Sequence, residues 1–306
     1  MEDLYSIKRK LETYKKMKQM AEAMKLAAIT GYSSLAKKIL LAKNYLTKVN
    51  ATVASFLCNV EAICQNDECT DSSLYLPDFF QENNALRSLV IVVGATKELG
   101  TGHTSMLKSF LPKIIMPSAT APVDFFFLGK SPRKAFSSLV FEQDSYRVVG
   151  EIRDFSFNTL ASTVDEITKF ISSSNMDYKK CMIVNMRFKG LFSHQRNAKI
   201  ILPIIKNQEI KELVEVYKAQ PRIHDYLLEQ APDQIGILLR DKVVATSIWY
   251  EIIESLCAEN ASRYVSMDKA VTNAEKCIGE ISLKMNKVRQ IMITKQITEI
   301  SCYTDL

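Results

Sequence analysis

Apolar side chains recur at alternating steps of three and four along the first sixty residues. From Ala21 onward this repeat has the spacing of a heptad seam, the stripe along which the helices of a coiled coil meet. Its members are Ala21, Met24, Ala28, Tyr32, Leu35, Ile39, Ala42, Leu46, Val49, Val53, Phe56 and Val60. The same stripe begins earlier, at Leu4, Ile7, Leu11 and Tyr14, and then passes through either Met17 or Lys18. The pattern predicts one long helix over about residues 4–63.

The other end of the chain has a similar pattern. Steps of four and three join Met267, Val271, Ala274, Ile278, Ile281, Met285 and Val288. All eight prolines lie between Pro77 and Pro232, so both ends lack the residue that most strongly breaks helices. We therefore expect a long helix at each terminus, the two wound as an antiparallel pair. The last turns, residues 286–301, are apolar nearly all round, which predicts that they are buried.

The middle of the chain contains short apolar runs rich in β-forming residues. Four of them are typical of buried strands, at residues 87–95, 123–129, 179–188 and 198–204. Residues 158–174 have a helical pattern, and strands alternating with helices predict a largely parallel sheet. The predicted fold class is α/β: a long antiparallel coiled coil of N- and C-terminal helices with an inserted Rossmann-like α/β domain. The expected division is residues 1–65, 70–215 and 216–306.

Charge and hydropathy narrow the function classes. No run of about 18 uncharged apolar residues occurs, so no direct membrane span is expected. The net charge of +6 comes from the first fifty residues, where eleven Lys or Arg face four Asp or Glu. Nucleic-acid binding would need these charges on a recognisable module or among stacking aromatic residues, and neither is present. We therefore expect no nucleic-acid partner. The basic excess belongs to one predicted helix, and an ordinary solvent-exposed face of that helix is an alternative explanation for it.

Candidate chemistry is sparse. Seven cysteines without a C-x-x-C pair indicate reduced thiols, and His103, His194 and His224 lie too far apart for metal-binding spacing. The segment GATKELGTGHTSM after the first strand matches neither phosphate-binding glycine motif. Thr104 and Ser105 beside His103 offer a nucleophile and a base on paper, but no carboxylate partner is identifiable. We predict no catalytic residue, no metal and no cofactor.

Three motifs carry a family resemblance. The front motif MKQMAEAMKLAAITGY, residues 17–32, is similar to K-x-T-x-A-M-x-M-V-A-A-x-K. The back motif ENASRYVSMDKAVTNA with NKVRQIMITKQITEI, residues 259–274 and 286–300, is similar to E-x-A-A-R-M-x-A-M-x-x-A-T-x-N-A and N-K-x-R-Q-A-x-I-T-x-E-I-x-E-I. A third, DYLLEQAPD, residues 225–233, is similar to Y-x-x-E-P-D. Together they resemble the gamma-subunit family of F-type ATP synthases.

The chain resembles a divergent member of that family over about residues 4–301. The segment after the first strand keeps little of the family's T-S-D-R-G-L-C-G-G-L-N signature. Gln296 replaces a usual glutamate, Ile291 a usual alanine, and Gly31 stands where lysine is common. Cys181 stands alone in its region, so thiol regulation of the kind found in plastid relatives is not expected.

The resemblance implies a central-stalk rotor, a non-catalytic subunit that couples ion flow through the membrane c-ring to conformational changes in the catalytic beta subunits. The implied partners are a 3:3 hexamer of alpha and beta subunits, the epsilon subunit and the c-ring. Rotor–stator contacts are implied at Met24, Arg263, Arg289, Gln290, Thr294 and Glu299. Contacts on the c-ring and epsilon side are implied at Tyr226 and Glu229. The start MEDLYSIKRK has no transit-peptide character. The expected location is therefore the cytoplasmic face of a bacterial inner membrane, in preference to the mitochondrial matrix.

Two other protein classes remain open on the residues alone. One is a coiled-coil structural tether with an α/β head, which dimerises through its helices. The other is a free α/β enzyme with helical arms, which predicts a small-ligand site within residues 70–215.

Overall fold

A computed structural model of the chain describes residues 4–66, 87–97, 102–115, 122–137, 146–173, 178–191, 193–219 and 232–304. Its helices are α1 (Leu4–Asn66), α2 (His103–Ile115), α3 (Ser131–Ser137), α4 (Leu160–Ser173), α5 (Gln208–Ala219) and α6 (Pro232–Thr304). Its strands are β1 (Arg87–Val93), β2 (Val123–Leu128), β3 (Tyr146–Ile152), β4 (Tyr178–Gly190) and β5 (Ser193–Leu202). The chain forms two compact units, Met1–Gly31 with Asn260–Leu306, and Tyr32–Glu259. We call them the helical unit and the α/β unit.

The helical unit is an antiparallel pair formed by the first part of α1 and the last part of α6. Lys18 Nζ lies 2.9 Å from Glu275 Oε1, and Lys25 Nζ lies 2.6 Å from Asp268 Oδ1. The residue number rises along α1 while that of its partner falls along α6, which makes the two helices antiparallel. The predicted coiled-coil pairing of the terminal helices is thereby confirmed.

Apolar side chains, several of them alanine, line the buried seam of the helical unit. Ile7, Leu11, Ala21 and Ala28 are buried on α1, and Ala261, Met267 and Ala274 are buried on α6. Lys18 takes the seam position that the sequence left open, because Met17 is 52% exposed whereas Lys18 is half-buried. A Cβ added at Gly31 would lie 3.3 Å from side-chain atoms of Asn260. The glycine therefore fits a point where the two helices approach closely.

The α/β unit is built on a five-stranded sheet with the strand order β3-β2-β1-β4-β5. β1 pairs in parallel with β2 and β4, and β2 pairs in parallel with β3. β4 and β5 form an antiparallel hairpin at one edge. The four parallel strands have the order of strands 3-2-1-4 of the Rossmann fold, which confirms the prediction of a largely parallel, Rossmann-like sheet.

Helices cover both faces of this sheet, because its central strands are apolar on both sides. On one face, Leu89, Ile91 and Val93 of β1 pack in a core that includes residues of α1, α4 and α6. On the other face, Val90 and Val92 pack against residues of α2 and α3. Successive side chains of β1 point to opposite faces of the sheet, so the interior consists of two apolar layers, one on each face.

The strand and helix bounds depart from the sequence predictions at particular places. Strand β3 was not predicted; it lies at a sheet edge and is half-buried rather than continuously apolar. The predicted strand at residues 198–204 begins earlier and ends at Leu202, because Pro203 precedes a short 3-10 helix, Ile204–Lys206. The first helix continues to Asn66, and the helix predicted at 158–174 spans Leu160–Ser173. The division into three domains stays a prediction.

Tight loops join the carboxyl ends of β1 and β2. Gly129 has a φ of +92°, and a Cβ there would lie 2.8 Å from the carbonyl oxygens of Gly94 and Ala95. The Ser131 hydroxyl accepts a 2.6 Å hydrogen bond from the Ala95 amide. A Cβ at Gly94 would lie 2.4 Å from atoms of Ser131 and Pro132. This edge of the sheet is therefore closely packed by the chain's own loop.

We expect Gly129→Ala to lower the free energy of unfolding by about 2 kcal/mol or more, because the new Cβ meets both strain at positive φ and backbone oxygens. Urea denaturation followed by fluorescence of Trp249, the single tryptophan, measures this change. Gly190→Ala is the matched control, since nothing lies within 4 Å of a Cβ there. Equal stabilities of the two variants would contradict the assigned loop geometry.

Candidate functional site

The structure brings four of the residues implied by the resemblance to one end of α6. Arg289, Gln290, Thr294 and Glu299 are all exposed. The Thr294 hydroxyl donates to the Gln290 carbonyl oxygen at 2.9 Å, and Glu299 Oε1 lies 3.7 Å from Lys295 Nζ. These are local contacts within one helix, so the outward face of this segment is available for binding.

The other implied residues lie elsewhere. Met24 and Arg263 are half-buried in the helical unit, where an Arg263 guanidinium nitrogen donates to Asn260 Oδ1 at 3.1 Å. Tyr226 and Glu229 lie outside the described residues. Met24 and Arg263 are thus set apart from the end of α6.

The end of α6 is an exposed apolar surface, which we call the C-terminal tip (residues 289–300). The ion pairs of Lys18 and Lys25 set a register that brings Leu4, the first described residue of α1, level with about residue 289. Every residue of the tip is exposed, so the described part of this chain does not provide the burial predicted for these last turns. Its large apolar members are Ile291, Met292, Ile293, Ile297 and Ile300, between 44% and 65% exposed. An apolar surface of this kind is typical of sites that bind another protein or a membrane.

A second cluster, which sequence reasoning missed, lies within the α/β unit. Three carboxylates of α6, those of Glu251, Glu254 and Glu259, are only 2–3% exposed. Burying an ionised carboxylate is costly unless it is hydrogen-bonded or paired with a cation. The partners of these three side chains therefore show what holds α6 in the unit.

Glu251 contacts the β4–β5 hairpin. Its Oε2 accepts hydrogen bonds from the side-chain amides of Asn185, at 2.9 Å, and Asn197, at 3.1 Å, and its Oε1 lies 3.8 Å from Lys199 Nζ. Burial raises the pKa of Glu251 to about 7, although Lys199 acts in the opposite direction. The carboxyl group therefore changes its charge near neutral pH.

Glu254 lies one turn further along α6. Its Oε1 accepts a 2.5 Å hydrogen bond from the Tyr250 hydroxyl, and its Oε2 lies 3.6 Å from Arg187 Nε. Burial raises the pKa of both Glu254 and Tyr250. Arg187 belongs to β4, so this contact also joins α6 to the hairpin.

Lys199 extends the cluster to the remaining helices. Its Nζ lies 3.0 Å from Glu209 Oε1 on α5, and Glu209 Oε2 accepts a 3.0 Å hydrogen bond from the Asn50 amide on α1. The polar cluster thus joins both long helices, α5 and the β4–β5 hairpin. Most of its charged groups are paired with one another, which suits a role in holding helices together, while Asn50 Oδ1 and Glu254 Oε2 accept no hydrogen bond from any described residue.

Glu259 is the third buried carboxylate. It accepts hydrogen bonds at 3.2 Å from the backbone amides of Thr96 and Lys97, just beyond the carboxyl end of β1. A signal for all three residues was present in the sequence, because Glu251 and Glu254 interrupt the apolar run at residues 243–258 and Glu259 opens the back motif.

Two other features are absent from the residues that the structure describes. Among those residues, no three His, Cys, Asp or Glu side chains come together in a way that could hold a metal ion. No described helix is both long and apolar enough to cross a membrane.

An antiparallel pair of long terminal helices, a Rossmann-like unit and an exposed apolar helix end together define a coiled-coil protein with an α/β unit. A family model described as ATP synthase matches residues 3–302 of the chain, and the chain belongs to this family.

Relatives at the level of sequence agree with this assignment. The ATP synthase gamma chain of Solibacter usitatus is 25% identical over 306 residues, covering 98% of this chain and 97% of the relative. That of Chloroherpeton thalassium is 26% identical, covering 98% of this chain and 96% of the relative. Among solved structures, the rotor of the Euglena gracilis mitochondrial ATP synthase matches with a TM-score of 0.59 at 17% identity, covering 95% of this chain and 98% of that one. The recognition of a divergent gamma chain and the predicted fold class are confirmed.

We expect the α/β unit to lose stability as the pH rises from 5 to 8. The folded-state pKa of Glu251 is about 7, above its ordinary value of 4.5, so the folded state holds the extra proton in this range. The bound proton adds its full contribution to the free energy of unfolding when the pH is below the ordinary pKa of 4.5. This contribution is lost as the pH rises past 7, which lowers the free energy of unfolding by about 2 kcal/mol. Glu251→Gln keeps a neutral side chain and should remove most of this dependence.

Urea midpoints at pH 5 and 8, read from Trp249 fluorescence, measure the effect. Glu280→Gln is the matched control, since Glu280 is exposed on the same helix. A wild-type chain whose midpoint does not fall with pH would show that Glu251 is not held as described.

Proposed function

We propose that this chain is the central rotor shaft of an F-type ATP synthase, a non-catalytic subunit that couples ion flow to the conformations of the catalytic subunits. The single observation that carries the proposal is the C-terminal tip, an apolar helix end that extends beyond the first described turn of α1. Membership in the ATP synthase family supports it, as does the likeness to a structure described as a rotor.

The tip has the properties that a turning contact needs. A collar of alpha and beta subunits would bury its apolar side chains, since dispersion contacts are weak individually and have no preferred direction. Rotation would then meet no single deep minimum. Arg289, Gln290, Thr294 and Glu299 would supply the few directional contacts to the collar.

Coupling follows from asymmetry. One shaft inside a ring of three alpha and three beta subunits touches each catalytic subunit through a different face. Each catalytic subunit is then held in a different affinity state, and turning the shaft exchanges those states. The shaft itself would need no catalytic group and no cofactor for this work.

The remaining contacts complete the proposed assembly. Met24 and Arg263, half-buried in the helical unit, would meet the beta subunits at a second level away from the tip. Tyr226 and Glu229 would lie toward the c-ring and the epsilon subunit. In the proposed assembly the chain would be a peripheral subunit on the cytoplasmic face of a bacterial inner membrane, where it would serve ATP synthesis and ion transport.

The test uses the full chain co-expressed with the alpha and beta subunits of its own source. We expect native mass spectrometry to show three alpha, three beta and one copy of this chain. Ile293→Asp with Ile297→Asp should weaken the binding of this chain by about tenfold or more for each substitution, because each places a charge where an apolar side chain is buried. Truncation after Lys284 should weaken it further.

Leu41→Asp is the matched control, because Leu41 is 69% exposed and belongs to the α/β unit rather than to the tip. It should assemble as the wild-type chain does. A chain that binds no alpha or beta subunit would refute the proposal. A discrete homodimer that the tip substitutions disrupt would instead establish the tether.

A further inference from the structure

Glu259 lies in a cradle of three donors. The backbone amide of Thr96 is 3.2 Å from Oε2, and that of Lys97 is 3.2 Å from Oε1. The Thr96 hydroxyl is 3.4 Å from Oε1. Consecutive backbone amides that point at one anion form a nest, a concave site that binds carboxylates and phosphates. Both oxygens of one buried carboxylate are thus held by two consecutive residues.

The position of this cradle in the sheet indicates what it could bind. β1 is followed along the chain by β2 on one side, and β4 lies on its other side. Open parallel sheets bind ligands beyond the carboxyl ends of the strands at such a switch point, commonly through the phosphate of a nucleotide. Here the segment just beyond β1 holds a carboxylate from helix α6.

We infer that the segment after β1 is an oxyanion site and that Glu259 is its built-in ligand. A ligand tethered to the same chain has a high effective concentration at its site, so free oxyanions do not displace it. The site is therefore closed to solution anions in the wild-type chain and opens when the Glu259 carboxylate is removed.

The backbone next to the site is held by hydrogen bonds that do not involve Glu259. The Ala95 amide donates to the Ser131 hydroxyl at 2.6 Å, and the Lys130 amide donates to the Ala95 carbonyl oxygen at 3.1 Å. These contacts hold the backbone just before Thr96. Removal of the carboxylate should thus leave the cradle standing.

The same packing limits the ligand to a small oxyanion such as inorganic phosphate. Ser131 and Pro132 crowd Gly94 on the side of β2, where a larger group would need space. A phosphate ion would take the space that the whole Glu259 side chain beyond Cβ leaves in Glu259→Ala. Since the contacts that carry the inference, those of Glu259 with Thr96 and Lys97, lie within the α/β unit, the inference does not depend on the proposed rotor function.

The test is hydrogen exchange with mass spectrometry on the full-length chain, read on peptides that contain Thr96 and Lys97. In Glu259→Ala we expect these two amides to exchange about 10- to 100-fold faster, since hydrogen bonds to a charged acceptor have been lost. Inorganic phosphate should restore much of the protection, whereas chloride at equal ionic strength should not. The wild-type chain should not respond to phosphate.

Two further variants separate the site from general loss of structure. Glu259→Gln fills the cradle with a neutral side chain, so its two amides should exchange faster but show no response to phosphate. Glu280→Ala, exposed on the same helix, should match the wild type. Unchanged exchange in Glu259→Gln, or faster exchange in Glu259→Ala without phosphate protection, would overturn the inference. If Glu259→Ala does not fold, unchanged exchange in Glu259→Gln still overturns it.

Discussion

Three carboxylates buried on one helix impose the constraint on which the α/β unit depends. An apolar helix face can slide or rotate on an apolar sheet at little cost, because contacts of this kind are not directional. Buried carboxylates cannot, since each needs specific donors or cations in reach. Glu251 finds Asn185 and Asn197, Glu254 finds Tyr250 and Arg187, and Glu259 finds the backbone after β1. The observed register of α6 on the sheet gives all three a partner, so we infer that these residues fix the helix in place.

The helical unit is held in a different manner. Its seam uses small residues such as Ala28 and Ala274, which let two helices approach, and its ion pairs lie at the surface. Surface ion pairs contribute little stability and are screened by salt. The two units therefore differ in kind, one fixed by buried polar contacts and the other by close apolar packing. For a subunit proposed to bear load, rigid attachment in one region and smooth surfaces in another are complementary properties.

The sequence predicted the elements that have a periodic apolar pattern, but it did not predict contacts between residues that are distant along the chain. The heptad seam of α1 and the strands β1, β2 and β4 follow from local patterns, and so does the apolar tip. Strand β3 was missed because it is a half-exposed edge strand without a continuous apolar run. The partners of Glu251 lie more than fifty residues away along the chain, and no local pattern can show them. Even the choice between Met17 and Lys18 required the structure, because it depends on Glu275 across the seam. The implied rotor contacts, by contrast, rest on family motifs and stay predictions.

The exposed tip affects the stability of the chain before it assembles with partners. It is rich in β-branched residues, including Ile293, Thr294 and Ile297, which favour helix less than alanine or leucine does. A copy without partners therefore presents a weakly stable helix end with large apolar side chains exposed. Such segments are readily recognised by chaperones and proteases. Insertion into a partner would bury them, so surplus copies would be degraded while assembled copies survive. The tip would thus help to match the number of these subunits to the number of complexes that can accept them.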